Sequence, residues 1–290
     1  MNKPAEHKKA AGKSPAEKYD VRPGQSVELL KELHILTRDG KLNQDSRRKL
    51  KQVYHLFQFI EPLLRDVLAD KPDLTLVDHG AGKSYLGFIL YDLFFKEEAK
   101  QGHIYGIETR DELVARSQEL AARLGFDNMT FLNLTVAASI DSSALPETVD
   151  VVTALHACDT ATDDAIHFAL AKRARHIVLV PCCQAEVAAV MRKHKAQTLT
   201  QTLAEIWRHP IHTREFGSHI TNVLRCLQLE AQGYKLNVTE LIGWEHSMKN
   251  ELIIASRSEN PNRKAAERLH ELLATLGLDE LKSRFFTDRP

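Results

Sequence analysis

The chain has 290 residues, 43% of them hydrophobic and 27% charged, with 39 basic and 39 acidic side chains. That length suits one large α/β domain with extensions, or two small ones, and the composition reads as soluble and globular. The balanced charge excludes a basic surface over the whole molecule, though not a local patch. No apolar run approaches the length of a membrane span, and no signal-peptide pattern opens the chain. The four cysteines, Cys158, Cys182, Cys183 and Cys226, show no secreted-disulfide pattern, so a reducing, cytoplasmic setting is expected.

Residues 1–24 carry Lys3, Lys8, Lys9, Lys13 and Lys18 among few large apolar residues, which predicts a disordered basic tail. Residues 25–70 read as a helical cap. Leu29, Leu30 and Leu33, then Val53, Leu56, Phe57, Ile60, Leu63 and Leu64, fall at helical spacing, with a break at Asp39-Gly40. Over residues 71–257 the period changes. Short apolar runs at 74–77, 104–107, 129–132, 149–155 and 177–180 alternate with helical stretches at 84–95, 111–124, 162–172 and 185–207. This alternation predicts a parallel sheet with helices on both faces. A helix over 219–232 follows. Two runs, 236–242 and 251–255, then leave no room for a helix between them and predict an antiparallel hairpin. Residues 258–290 form a tail with one more amphipathic helix, marked by Leu269, Leu272, Leu273 and Leu276.

The turn after the first strand reads Val77-Asp78-His79-Gly80-Ala81-Gly82-Lys83-Ser84. Glycine there allows the backbone to approach a ligand, and the helix start offers free N–H groups. Three sites have turns of this kind. A phosphate loop needs glycine five residues before the Gly-Lys pair, and position 77 is valine. A dinucleotide fingerprint needs a third glycine where Tyr85 stands. The run Asp-x-Gly-x-Gly, here Asp78, Gly80, Ala81, Gly82 and Lys83, resembles motif I of the class I methyltransferases, which implies an S-adenosylmethionine site. The second strand ends in Glu108, twenty-six residues beyond Gly82. An acid at that strand end can accept hydrogen bonds from both ribose hydroxyls of a nucleoside.

The fourth strand delivers Leu155-His156-Ala157-Cys158-Asp159-Thr160-Ala161-Thr162-Asp163, and the fifth delivers Val180-Pro181-Cys182-Cys183-Gln184. Together with the glycine turn, these runs resemble a class I methyltransferase family with Leu-His-x-Cys and Pro-Cys-Cys signatures. They also look like the tRNA 2′-O-ribose methyltransferases that modify the acceptor stem, which have a Leu-Cys-Gly-x-Ala-Thr-Asp run and a Cys-Cys-His segment. The hairpin turn Glu245-His246-Ser247-Met248-Lys249-Asn250 resembles a Glu-His-x-x-Lys-Asn element in bacterial relatives. The likeness covers residues 50 to 257. It departs from the tRNA enzymes at Asp159, where they have glycine, and at Gln184, where they have histidine.

The resemblance implies a Rossmann-like class I fold: a mostly parallel seven-stranded sheet with a terminal antiparallel hairpin, here with an N-terminal helical extension. It implies S-adenosylmethionine as cofactor, with Asn133, Leu134 and Leu155 beside Asp78, the glycine turn and Glu108. The acceptor then meets the loops after strands four and five, at Cys182, Cys183, Gln184 and Lys249. Methyl transfer needs alignment and sometimes a base. His156 is a candidate base, with Asp159 and Cys158 as further catalytic candidates. His156 can equally shape its loop, and Asp163 can be a helix-start carboxylate. The cysteines are open to three readings: a metal site with His156, a nucleophile, or tight packing of small side chains. Packing is taken as the default and no metal is expected. The basic run Arg192, Lys193, His194, Lys195, Arg208, His209, His212 and Arg214 is either an RNA groove or a solvated helix face. The function expected is methylation of RNA, tRNA or rRNA. The alternatives are a small-molecule or protein acceptor, or a non-catalytic protein on the same fold.

Overall fold

The computed structural model describes residues 21–155, 157–182, 184–193, 203–241, 251–258 and 260–286. Expectations for the 1–20 part of the tail, His156, Cys183, His194, Lys195 and the 245–250 turn with Lys249 lie outside those residues.

Five parallel strands make the centre of the sheet: β1 (Thr75–His79), β2 (His103–Glu108), β3 (Met129–Asn133), β4 (Val151–Ala154) and β5 (His176–Leu179). The hairpin strands β6 (Tyr234–Glu240) and β7 (Glu251–Arg257) complete it in the order β3-β2-β1-β4-β5-β7-β6, with β7 antiparallel to both β5 and β6. The chain therefore leaves β1 with β2 on one side and β4 on the other. The carboxyl ends of β1 and β4 flank the crevice where open sheets of this kind hold ligands. β4 and β5 are buried at every position, which is why they read as largely apolar runs with no exposed face.

The helices among the described residues are α1 (Val27–Glu32), α2 (Gln44–Leu68), α3 (Tyr85–Leu90), α4 (Asp111–Leu124), α5 (Val136–Ile140), α6 (Thr160–Ala171), α7 (Glu186–Lys193), α8 (Pro210–Ala231), α9 (Arg263–Thr275) and α10 (Lys282–Phe285). Ser26 and Asn43 cap α1 and α2 through their side chains. The stretch expected as one helix over 84–95 continues from α3 into a π-helical turn at Tyr91–Phe95. This turn carries Asp92, a buried carboxylate that accepts the Ser26 N–H at 2.9 Å and the Lys96 ammonium at 3.3 Å. The α1 start is thereby fastened to α3. Leu56, Phe57, Ile60, Leu64 and Val67 of α2 share one core with Leu76 of β1 and Ile104 of β2. On the other sheet face, Val77, Val152 and Ile177 pack with Phe168 of α6. Leu269 and Leu273 of α9 pack with Met191 of α7 and Leu224 of α8, so α9 closes a third core.

Helix α8 begins nine residues earlier than the pattern suggested, at Pro210. Proline is tolerated at a first helical position because that N–H has no helical partner. The expected 185–207 helix is α7 followed, at Leu203–Trp207, by a 3₁₀ turn, with 194–202 outside the described residues. Among the described residues no helix is long and apolar enough to cross a membrane.

Candidate functional site

The backbone makes a left-handed turn at Gly80 (φ 62°) and Gly82 (φ 57°), and Ser84 (φ 52°) precedes α3 in the same region. A side chain is disfavoured at these φ values, and a Cβ at Gly80 would meet the Ala157 Cα at 3.4 Å. The loop after β4 thus lies directly over the glycine turn. Ala81 N–H donates to the Ile107 carbonyl at 3.1 Å, and Gly82 N–H donates to Glu108 Oε2 at 2.8 Å. The turn after β1 and the end of β2 are therefore one stitched unit, and the register Asp78↔Gly106, His79↔Ile107 places them side by side.

Asp78 and Glu108 have opposite electrostatics. Asp78 is 3% exposed and has one hydrogen bond, from the Thr153 hydroxyl at 2.7 Å. Burial pushes its carboxyl up to about 7, against the pull of Thr153. Glu108 is also buried, which pushes it upward. Arg110, through its side chain and N–H, and the Gly82 N–H outweigh this and hold it below the usual carboxylate range. Arg110 Nε lies 3.0 Å from Oε1 and Nη2 3.2 Å from Oε2, so its guanidinium lies across the carboxylate that the sequence pattern reserved for ribose. His79, on the opposite sheet face, is fully buried edge-on to Phe168, neither ring nitrogen has a partner, and burial lowers it to about 3.

A cavity of about 450 Å³ opens at the turn, lined by Asp78, Gly80, Ala81, Gly82, Lys83, Arg110 and Leu155 together with Lys49, Gln52 and Val53 of α2. A pocket of this size is in the range of cofactor sites. The α2 wall and Arg110 were missed by sequence reading. Arg110 could have been suspected from its place two residues after Glu108, whereas the α2 residues sit among ordinary helix positions. Asn133 lies off this cavity: it is exposed, and its amide donates to the Thr109 carbonyl at 3.3 Å and to the Asp111 carboxylate. Leu134 N–H donates to the Glu108 carbonyl at 3.2 Å, so both stay next to the β2 end.

The loops after β4 and β5 are joined through Cys158 and Cys182, which form an isolated parallel bridge with their sulfurs 3.4 Å apart. Asp159 N–H donates to the Cys182 carbonyl at 3.2 Å, while Asp159 Oδ1 accepts the N–H groups of Ala185 at 3.0 Å and Glu186 at 3.4 Å. Asp159, a catalytic candidate by sequence, thus holds the start of α7 through Oδ1. Its backbone, φ 51° and ψ −122°, is strained for a residue with a side chain.

Asp163 stands in the first turn of α6, as a helix-start carboxylate does, and it has a second partner: it is 1% exposed and makes a bidentate pair with the fully buried Arg225 of α8, at 2.7 and 2.8 Å. Gln184 is 2% exposed and turned to α8, donating to Asn222 Oδ1 at 2.6 Å and accepting from the Ser218 hydroxyl at 2.5 Å. A side chain so enclosed does not present its amide to an acceptor. Arg225 also donates to the Asp159 carbonyl at 2.8 Å, and Asn222 donates to Glu251 of β7 at 2.8 Å. One buried network therefore links the β4 loop, the β5 loop and the hairpin.

Much of the basic run is neutralised locally. Lys193 pairs with Glu280 at 2.8 Å, Arg208 with Glu205 at 3.2 Å and Arg214 with Glu215 at 2.9 Å. Among the described residues no three His, Cys, Asp or Glu side chains gather as a metal site.

Residues 48–190 match the family model of a methyltransferase domain. The match contains β1 to β5, the glycine turn, Glu108 and both bridged loops. The chain is an S-adenosylmethionine-dependent methyltransferase with a Rossmann-like sheet. No curated protein matches it by sequence. Among solved structures, it resembles the fibrillarin pre-rRNA processing protein of Methanococcus jannaschii at 14% identity and a TM-score of 0.42, covering 66% of this chain and 69% of that one. It also resembles the magnesium protoporphyrin IX methyltransferase of Synechocystis PCC 6803 with bound SAH at 16% identity and 0.40, covering 80% and 93%. A third is the precorrin-6y C5,15-methyltransferase of Geobacter metallireducens GS-15, at 17% identity and 0.39, covering 75% and 90%. Likenesses this distant say nothing about the acceptor.

Proposed function

We propose that this methyltransferase acts on RNA, with tRNA or rRNA as the acceptor, and that residues 71–257 form its catalytic domain under the 25–70 helical cap. The cofactor reading rests above all on one observation: Gly82 N–H is hydrogen-bonded to Glu108, which joins the glycine turn to the carboxylate at the end of β2. The residues that would hold S-adenosylmethionine are Asp78, Gly80, Ala81, Gly82, Lys83, Glu108 and Leu155. By the family resemblance, Asn133 and Leu134 would lie near the adenine. When bound, the cofactor supplies an electrophilic methyl group on its sulfonium.

The chain's own residues do the rest. Glu108 accepts from the ribose hydroxyls once Arg110, whose side chain is 59% exposed, swings aside. A cationic ligand beside Asp78 would offset the burial that otherwise keeps its carboxyl protonated near neutrality and so would favour its ionised form. Leu155 lines the cavity and Ala157 of the β4 loop packs over Gly80, giving the site an apolar wall on this side. Because Asp159 is committed to α7, removal of the acceptor proton falls to His156, with Cys158, Cys182, Cys183 and Lys249 on the acceptor side.

The RNA reading is supported by the Leu155–Asp163 run and by Asp159 itself. The tRNA 2′-O-methyltransferases it resembles have glycine at this position, and the backbone here adopts the positive φ that glycine favours. A second hollow of about 510 Å³ adjoins the first, sharing Lys49 and Lys83, and carries Arg116. Among the described residues Lys83 and Arg116 have no carboxylate partner, which suits an anionic acceptor.

The test is transfer of tritium from labelled S-adenosylmethionine into total RNA and total protein from cells lacking the gene, with Glu108→Ala as control. Label in a tRNA or rRNA band, absent with the control, supports the reading. Label in protein or in a small-molecule fraction alone refutes it.

A further inference from the structure

Cys158 and Cys182 stand on neighbouring strand ends, one after β4 and one after β5. They are backbone bridge partners, their sulfurs are 3.4 Å apart, and Cys158 is exposed. A disulfide needs sulfurs about 2.0 Å apart on backbones that are already close. The bridge supplies the close backbones, so a side-chain rotation of little more than an ångström completes the geometry. Further hydrogen bonds, from Asp159 N–H to the Cys182 carbonyl and from Ala185 N–H to Asp159, hold the two loops in that register in the reduced form. Cys226, the remaining described cysteine, is on α8, where burial pushes its thiol up to about 12 and leaves it inert.

We propose that Cys158 and Cys182 are a reversible oxidation site, forming a disulfide that clasps the loops after β4 and β5. The oxidant is a peroxide. The Cys158 thiolate attacks one peroxide oxygen, the O–O bond breaks, and hydroxide leaves as water after protonation, giving a sulfenic acid. The Cys182 thiolate then attacks that sulfur, the S–O bond breaks, and a second water departs. Two thiols are oxidised by two electrons and one peroxide is reduced to two waters. A dithiol reductant reverses the reaction by thiol–disulfide exchange. Where the bond acts on methyl transfer depends on the acceptor side proposed above. Whether it forms does not.

The experiment treats the full-length protein with hydrogen peroxide, blocks remaining thiols and maps tryptic peptides. Cys158 lies in the peptide 124–172, and Cys182 and Cys183 share the peptide 176–192, so the expected bond cross-links two peptides. The cross-link should disappear with dithiothreitol and in Cys182→Ser, and persist in Cys183→Ser. Of the four thiols, two should be lost on oxidation. A bond confined within 176–192, a cross-link that survives Cys182→Ser, or Cys158 driven to sulfinic acid with no cross-link would each overturn the proposal. The wild-type map alone decides between these outcomes if a variant fails to fold.

Discussion

Replacing Asp78 by asparagine should make the protein more stable, and increasingly so as pH rises. The carboxyl is 3% exposed and burial raises it from 3.8 to about 7. Between those values the folded state holds a proton that the unfolded chain has released, so stability falls as pH rises through the window and the full penalty is present above about 7. The rise corresponds to at most about 4 kcal/mol, at about 1.4 kcal/mol per tenfold change in proton affinity. About 1.5 kcal/mol of this is already expressed at pH 5, and about 2.5 kcal/mol more develops by pH 8. Asparagine has the same shape, and its carbonyl can still accept from the Thr153 hydroxyl. The variant therefore removes the penalty without opening a cavity. In thermal unfolding of the ligand-free proteins, the Tm excess of Asp78→Asn over wild type should grow by about 6–10 °C between pH 5 and pH 8. Parallel Tm curves over that range would refute the reasoning, since they would mean that Asp78 is ionised in the folded protein as readily as in the unfolded chain.

Arg225→Met should cost about 3–5 kcal/mol, because it leaves Asp163 buried without its bidentate partner, and chemical denaturation would read the loss. Asp159→Ala should destabilise by about 1 kcal/mol through loss of the α7 cap, whereas Asp159→Gly should cost less because glycine relieves the φ of 51°. Equal losses in the two variants would remove strain from the account. Arg110→Ala should tighten S-adenosylhomocysteine binding about twofold to fivefold, by freeing Glu108 of an exposed competitor. Calorimetric titration of the variant against wild type checks this. Ile60→Ala, which hollows the joint between α2 and the sheet, should lower stability by about 2–5 kcal/mol in the same denaturation assay.

The strands were legible because period and length agree: β1 to β5 fall within one or two residues of their apolar runs, and α4 matches its predicted limits. The short α5 was not seen, since Val136–Ile140 is five residues, little more than one turn and too short to show a helical period. On the cofactor side, the glycine turn and Glu108 were readable from local spacing, and β1–β2 pairing then brings them together. The loops after β4 and β5 were less legible for a physical reason. Asp163 meets an arginine 62 positions away and Gln184 an asparagine 38 positions away. No local pattern indicates that a polar residue near a strand end is turned inward to a distant helix. Arg225 itself, fully buried on α8, reads in sequence as a charge on a helix surface.

The central claim is that the glycine turn and Glu108 together bind the cofactor, and calorimetric titration with S-adenosylhomocysteine tests it most directly. The account predicts one site per chain for wild type and an affinity weaker by about tenfold to a hundredfold for Glu108→Ala, as expected when charged hydrogen bonds to the ribose are lost. Equal affinity for wild type and Glu108→Ala, with the variant folded by circular dichroism, would contradict it.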